Sequence, residues 1–170
     1  VAAGAIVVND VTGLRNPAML ESVAGCGAGV VIMHMQGEPR TMQDDPQYAD
    51  VVGEVRDFLV ERAQEAEAAG VAAGHIAIDP GIGFGKTHEH NLELLRATRR
   101  FAEIGSPLLI GHSRKGFIGK LLGDKLADRT AGTLGVSLAV AAAGAQVLRV
   151  HDVKQTVDAL RLFEAAGGLA

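Results

Sequence analysis

HIAIDPGIGFGKT, residues 75–87, passes from a strand through a loop to a helix. Ile76, Ala77 and Ile78 form the short apolar run expected of a strand buried on both faces. The run ends on a carboxylate, Asp79, and Pro80 cannot extend the strand's hydrogen bonding. Gly81, Gly83 and Gly85 permit a tight backbone path that can lie against a ligand. Phe84 adds a flat apolar face, Lys86 adds a charge, and helical patterning resumes over residues 88–95. An acid at a strand's carboxyl end, then a glycine-rich loop, then a helix is how parallel α/β proteins build sites. Gly85-Lys86-Thr87 resembles the end of a nucleotide loop GxxxxGK[ST], but Pro80 stands where that pattern needs its first glycine. Nor do glycines at every second position form GxGxxG. The bland alternative is a turn without a ligand, since Gly and Pro are ordinary turn residues.

The same pattern repeats on both sides. Ala5–Asp10 is an apolar run ending on Asn9-Asp10, and Asn16-Pro17 opens a helix whose apolar face is Met19, Leu20 and Val23. Gly29–Met35 reads as the second strand, ending in His34, Met35 and Gln36. Past a polar loop, Tyr48–Ala69 reads as a long helix, with Val51, Val55, Phe58, Leu59 and Ala66 at helical spacing. After the central stretch a helix is expected over His90–Glu103, then a strand over Pro107–Gly111 followed at once by His112-Ser113-Arg114-Lys115. Asp128–Ala143 is an alanine-rich helix, small enough on several faces for close packing or a subunit contact. Gln146–Val150 is the fifth strand and Val153–Ala166 the last helix. Strands alternating with helices of this length, with no hairpin signal, predict parallel strands joined by crossovers.

Composition narrows the function classes. The chain has 170 residues, 48% hydrophobic and 21% charged, which suits a single globular domain over residues 1–170. A net charge of -4 offers no basic field for nucleic acid or an anionic membrane. No apolar run approaches the ~18 residues of a membrane span. Cys26 is the only cysteine, so no internal disulfide forms and a reducing, cytoplasmic setting is the simpler one. No basic segment precedes the first apolar run, which reads against a signal peptide. Val1 is not a methionine and a strand candidate begins almost at once, so the sequence is expected to open inside a domain.

Polar residues cluster at the strand ends: Asn9 and Asp10; His34 and Gln36; Asp79; His112 through Lys115; Arg149, His151 and Asp152. In a parallel sheet the carboxyl ends share one edge, so these groups converge. Each has a bland reading as well. Asn9 and Asp10 suit turn hydrogen bonds, His34 a satisfied core histidine, and Met33 and Met35 core filler. Arg114 and Lys115 suit a solvated helix start, though cations there oppose the helix dipole. Arg149 and His151 suit ion pairing with Asp152. His88, Glu89 and His90 match no zinc spacing and read as solvated. Taken together the groups describe a pocket whose cations suit a phosphate or pyrophosphate. Its carboxylate and amide suit a heterocycle with adjacent N–H donors and a carbonyl.

Five motifs carry a family resemblance: VVNDVTG (residues 7–13), MHMQGEPRTMQ (33–43), DPGIGFGK (79–86), GHSRKGFIG (111–119) and RVHDV (149–153). In this order and spacing the chain resembles the dihydropteroate synthase family of pterin-binding enzymes, the sulfonamide target of folate biosynthesis. The resemblance implies a (β/α)₈ TIM-type barrel. It also implies condensation of 6-hydroxymethyl-7,8-dihydropterin pyrophosphate with 4-aminobenzoate, giving 7,8-dihydropteroate and pyrophosphate, with Mg²⁺ assisting and a homodimeric assembly. Carried over by motif, Asn9 and Asp79 bind the pterin edge, Lys115 donates to the pterin, and Met33 and Phe84 line its ring. Arg149 stacks on the ring, and Arg149 and His151 hold the pyrophosphate, so Lys115, Arg149 and His151 are the expected catalytic groups. Ser113 and Arg114 belong to the same motif.

Two departures accompany the resemblance. The family begins with about three further strand–helix units, which bear a metal-associated Asn, another pterin-binding Asp and a DxGxxSTRPG-like loop. No metal ligand is therefore expected within these residues, and five of eight units cannot close a barrel. Gly116 also follows Lys115 where many relatives have a serine near the aminobenzoate. Three rival readings remain: a truncated, non-catalytic pterin-binding piece, a pterin-dependent methyltransferase barrel, and an unrelated open parallel α/β domain, which the five motifs disfavour. The SRKGFIG and RVHDV motifs argue against the methyltransferase.

Overall fold

A computed structural model describes residues 1–124 and 128–169. Among them strands and helices alternate: β1 (Val7–Asp10), α1 (Pro17–Cys26), β2 (Gly29–Met33), α2 (Val51–Ala68), β3 (Ile76–Asp79), α3 (His88–Arg96), α4 (Thr98–Ala102), β4 (Leu109–Ile110), α5 (Gly116–Leu121), α6 (Thr130–Ala142), β5 (Val147–Leu148) and α7 (Val153–Ala165). β1, β2 and β3 pair in parallel, with Asn9 beside Val31 and Val31 beside Ala77. β4 and β5 pair in parallel as well. A parallel bridge between Ile78 and Leu108 joins the two groups, and the Ile78 N–H donates to the Pro107 carbonyl at 2.9 Å. Every strand therefore lies beside its neighbour in sequence. A doubly wound sheet reverses its strand order at a switch point; an unbroken order with a crossover helix after each strand is that of a (β/α)₈ barrel wall.

Alternation along the strands divides the two faces. Val30, Ile32, Ile76, Ile78, Leu108 and Ile110 are buried in one core with Val55, Leu59, Leu94 and Phe101 from the helices. Full burial of side chains such as Leu59 or Phe101 contributes roughly 1.5–3 kcal/mol each. The opposite face carries Val7, Val31, Ala77, Leu109 and Val147, which line an apolar trough of about 450 Å³. Asn9, Asp79 and Arg149 stand at the carboxyl end of that face.

Helix boundaries follow caps more than periodicity. Asn16 accepts from the Ala18 N–H at 3.0 Å and Pro17 opens α1, as expected. α2 starts at Val51 rather than Tyr48, because Asp50 accepts from the N–H groups of Val52 and Gly53. Tyr48 is left outside, in the loop. α3 starts at His88, where the helical patterning resumes, under a capping box in which His90 replaces the usual Glu or Gln. The Thr87 hydroxyl accepts from the His90 N–H at 3.1 Å, and the His90 Nδ1 accepts from the Thr87 N–H at 3.2 Å. His90 is thus engaged in the cap rather than freely solvated. The expected helix over residues 90–103 is two helices, α3 and α4, meeting at Ala97.

The strands are shorter than their apolar runs. β2 stops at Met33, β4 spans only Leu109–Ile110, and β5 only Val147–Leu148. Pairing nonetheless reaches one residue further, since His34 N–H donates to Asp79 O at 2.9 Å and Arg149 N–H to Ile110 O at 3.1 Å. His34 and Arg149 are therefore held by the sheet at the point where the chain turns away from it.

Candidate functional site

Three strand ends meet around Asp79. Its carboxylate is wholly buried at the end of β3. Oδ1 accepts from the Gly81 N–H at 2.8 Å, and Oδ2 accepts from the Arg149 guanidinium at 3.0 Å. The same guanidinium donates to Asn9 Oδ1 at 2.5 Å, so a residue past β5 spans to β3 and β1. Burial raises the Asp79 pKa above the ordinary carboxylate value, and Arg149 and the Gly81 N–H oppose that rise. Each carboxylate oxygen retains a second lone pair, so two further donors can bind side by side.

The glycine loop builds the floor of this pocket. Gly81 has φ +70, and a methyl group there would collide with the His34 carbonyl. A methyl group at Gly85 would likewise collide with the Gln36 carbonyl. Only glycine lets the loop run against the backbone that follows β2. The loop presents Phe84, and Lys115 Nζ stands 4.4 Å from that ring's centroid. Lys115 Nζ also donates to the Ile82 carbonyl. Burial lowers the Lys115 pKa to about 8, against the pull of Asp79. Met33 is fully buried and borders Gly81, beneath the loop.

At the far end of the pocket, His151 Nδ1 meets the Ser113 hydroxyl at 2.9 Å, and the His151 N–H donates to that hydroxyl at 3.2 Å. Ser113 therefore fixes both the backbone and the ring of His151. Arg114, in left-handed backbone at φ +58, turns outward and pairs with Asp152 at 2.6 Å. The ion pairs thus differ from the Arg149–Asp152 and His151–Asp152 pairings considered from sequence: Arg149 takes Asp79, and Asp152 takes Arg114. Asp10 closes its own turn, accepting from Thr12 and from the Leu14 N–H at 2.6 Å. His112 is buried behind the site with Nε2 against Thr133 O and Ser137 Oγ.

Sequence reasoning left Lys86, Gln43 and Tyr48 without roles. Lys86 is 3% exposed, with Nζ 2.9 Å from His34 Nδ1 and 3.0 Å from the Phe84 carbonyl. Gln43 donates to the Gly83 carbonyl and Tyr48 to the Gly85 carbonyl. A lysine directly after a run of alternate glycines was the one available signal.

Mg²⁺ prefers oxygen ligands, commonly one or two carboxylates together with substrate phosphates. Among the described residues no three His, Cys, Asp or Glu side chains come together to hold a metal. The groups at the His151 end are a guanidinium, an imidazole and a hydroxyl, and Asp152 is engaged by Arg114. These residues by themselves do not fit a Mg²⁺ site.

The pocket is a carboxylate, an amide, an aromatic ring and several cations at the carboxyl edge of parallel strands. The chain is 44% identical over 162 residues to the dihydropteroate synthase of Escherichia coli strain K12, covering 95% of this chain and 57% of that protein. It therefore spans less than two thirds of the curated relative's length. The solved dihydropteroate synthase of Stenotrophomonas maltophilia superposes with a TM-score of 0.94 at 47% identity, covering 99% of this chain and 64% of that one. The Thermus thermophilus enzyme in complex with 6HMPPP gives a TM-score of 0.91 at 44% identity, over 96% of this chain and 65% of that one. The family described as pterin binding enzyme matches residues 1–151, and this chain belongs to it.

Proposed function

We propose that this chain supplies the pterin pocket of a dihydropteroate synthase. The reaction joins 4-aminobenzoate to 6-hydroxymethyl-7,8-dihydropterin pyrophosphate and releases pyrophosphate. One observation carries the reading: Asp79, wholly buried, is joined to the Asn9 amide through the Arg149 guanidinium at a shared strand edge, with Phe84 and Lys115 beside them. A buried carboxylate is costly unless matched, and the pterin edge matches it with a 2-amino group and an adjacent ring N–H. The Asn9 amide nitrogen adds a donor, Lys115 donates to the pterin, and Phe84 and Arg149 flank the ring plane. Met33 supports the ring's floor from below.

The residues divide the chemistry between them. The bond from the pterin methylene to the pyrophosphate oxygen breaks, and the electron pair leaves with pyrophosphate. Arg149 and His151 stabilise that negative charge, with Ser113 holding the His151 ring. Positive charge left on the methylene spreads into the pterin, whose edge rests on the Asp79 carboxylate. The amine nitrogen of 4-aminobenzoate then bonds to the methylene and sheds a proton. No covalent nucleophile is required. The Mg²⁺ implied by the family finds no carboxylate cluster among the described residues, and no step here is routed through it. The reading brings with it the family's homodimer and cytoplasmic setting, which sedimentation and cell fractionation check.

The resemblance to the Thermus enzyme in complex with 6HMPPP supports this substrate. Isothermal titration with the pterin pyrophosphate, on the wild type and on Asp79→Asn, tests it. Binding is expected in the wild type and is expected to weaken strongly in the variant. Equal binding by both overturns the site.

A further inference from the structure

Four successive carbonyls of the glycine loop are each held by a side chain, three from elsewhere in the chain and one from Lys86 at the loop's own end. Ile82 O accepts from Lys115 Nζ, and Gly83 O from Gln43 Nε2 at 2.7 Å. Phe84 O accepts from Lys86 Nζ at 3.0 Å, and Gly85 O from the Tyr48 hydroxyl at 2.8 Å. Lys86 differs from the other three in lying almost wholly inside the protein. Its nitrogen also lies 2.9 Å from His34 Nδ1 and 3.5 Å from the His34 carbonyl. An ammonium carries three N–H donors, and here it meets three acceptors, leaving none for a ligand. Burial, then Lys86 and Arg15, push the His34 pKa down to about 3, so its ring is neutral, and in the tautomer protonated at Nε2 its Nδ1 accepts from the ammonium.

We propose that Lys86 is a positioning residue for pterin binding: its buried ammonium ties the end of β2 to the glycine loop and so holds Phe84 against Lys115. The inference rests on reading the pocket at Asp79 as the pterin site. Lys86 acts through the loop. Its bond to the Phe84 carbonyl fixes the backbone from which that ring projects, and its bonds to His34 fix the strand end on which the loop lies. Gly81 and Gly85 bring the two backbones into contact, and Lys86 locks that contact.

The clamp depends on its proton, since a neutral amine has only two N–H groups. Burial lowers the Lys86 pKa to about 7, while nearby Asp79 raises it and Lys115 lowers it further. The other titratable groups around it are His34 and, through the loop or the adjoining recess, Tyr48, His88 and Lys120. Lys115 titrates as well, at about 8. It is retained in a Lys86 variant, so the share of a pH profile that vanishes on substitution belongs to Lys86.

The test is titration of the protein with 6-hydroxymethyl-7,8-dihydropterin pyrophosphate between pH 6 and 8.5, for the wild type, Lys86→Met and Asp79→Asn. Lys86→Met is expected to bind about tenfold more weakly at pH 6.5, the scale of one lost charge-assisted hydrogen bond, and to approach the wild type at pH 8.5. Equal binding at every pH overturns the inference and leaves the pterin site standing. Weakening by one constant factor at every pH also overturns it, since that is what a merely structural lysine gives. A wild type that binds no pterin overturns the proposed function and this inference together. Should Lys86→Met not fold, NMR of the wild type decides: the Phe84 ring signals are expected to shift with the Lys86 midpoint, and ring signals indifferent to it overturn the clamp.

Discussion

Asp79 has no exposed surface, yet its two oxygens face a backbone N–H and a guanidinium rather than an apolar wall. Substituting Asn keeps the shape and removes the charge and one acceptor. Pterin affinity is expected to fall roughly 10- to 100-fold in Asp79→Asn, the range for a lost hydrogen bond to a charged group, read by calorimetry. The pH dependence has a definite sign. Burial raises the Asp79 pKa, so on acidification the carboxyl takes up its proton above the usual carboxylate range and can no longer accept from both pterin donors. Binding is therefore expected to weaken as pH falls, beginning earlier than an exposed aspartate would allow. Lys86 gives folding stability a pH dependence of its own, also rising with pH. Its folded pKa is about 7 against 10.5 unfolded, so between those values the unfolded chain binds the extra proton and stability rises with pH. Lys86→Met lacks this contribution. The urea midpoint of the wild type is thus expected to gain on that of the variant from pH 7 to 10; a constant difference would place Lys86 in an ordinary solvated environment.

At the scale of elements, the glycine loop shows what a sequence discloses and what it withholds. Asp79 at a strand end, the alternate glycines and Phe84 could be read directly, because strand termination and positive φ leave marks in local residue choice. Asn9 and Arg149 could be placed beside Asp79 because parallel strands share a carboxyl edge. Gln43, Tyr48 and Lys86 could not be assigned, since they reach the loop across segments whose path no periodicity records. Of α5 only the start could be read, at Arg114 and Lys115, because Gly116–Leu121 is too short to display a helical period. The break between α3 and α4 at Ala97 lies inside an apolar pattern that a continuous helix would share. Gly81→Ala is expected to cost on the order of 2–4 kcal/mol, because it combines left-handed strain with a backbone collision. Chemical denaturation measures it. Asp50→Ala removes an acceptor for two N–H groups at the start of α2 and is expected to cost about 1 kcal/mol. The contrast separates a local cap from a contact between two loops.

At the scale of the whole molecule, electrostatics and topology pull apart. The chain carries a net charge of -4, yet the strand order gathers Lys86, Lys115, Arg149 and His151 at one edge. Acidic residues are spread over the helices instead, for example Glu54, Glu61, Glu65 and Glu67 along α2. A local positive field on an acidic protein attracts an anionic leaving group without making the surface a general polyanion binder. The Arg149 side chain is 41% exposed, so its share of that field is open to screening. Affinity for the pterin pyrophosphate is therefore expected to fall roughly tenfold between low salt and about 0.5 M, where the Debye length shortens to a few ångströms. The parent pterin alcohol would keep the ring contacts proposed at Asp79 and Phe84 but carries no phosphate, and its affinity is expected to change little. Parallel titrations of both ligands against ionic strength make the comparison. A common salt dependence would mean that the strand-end cations serve the ring alone, whereas divergence ties the positive charge at this edge to the departing pyrophosphate.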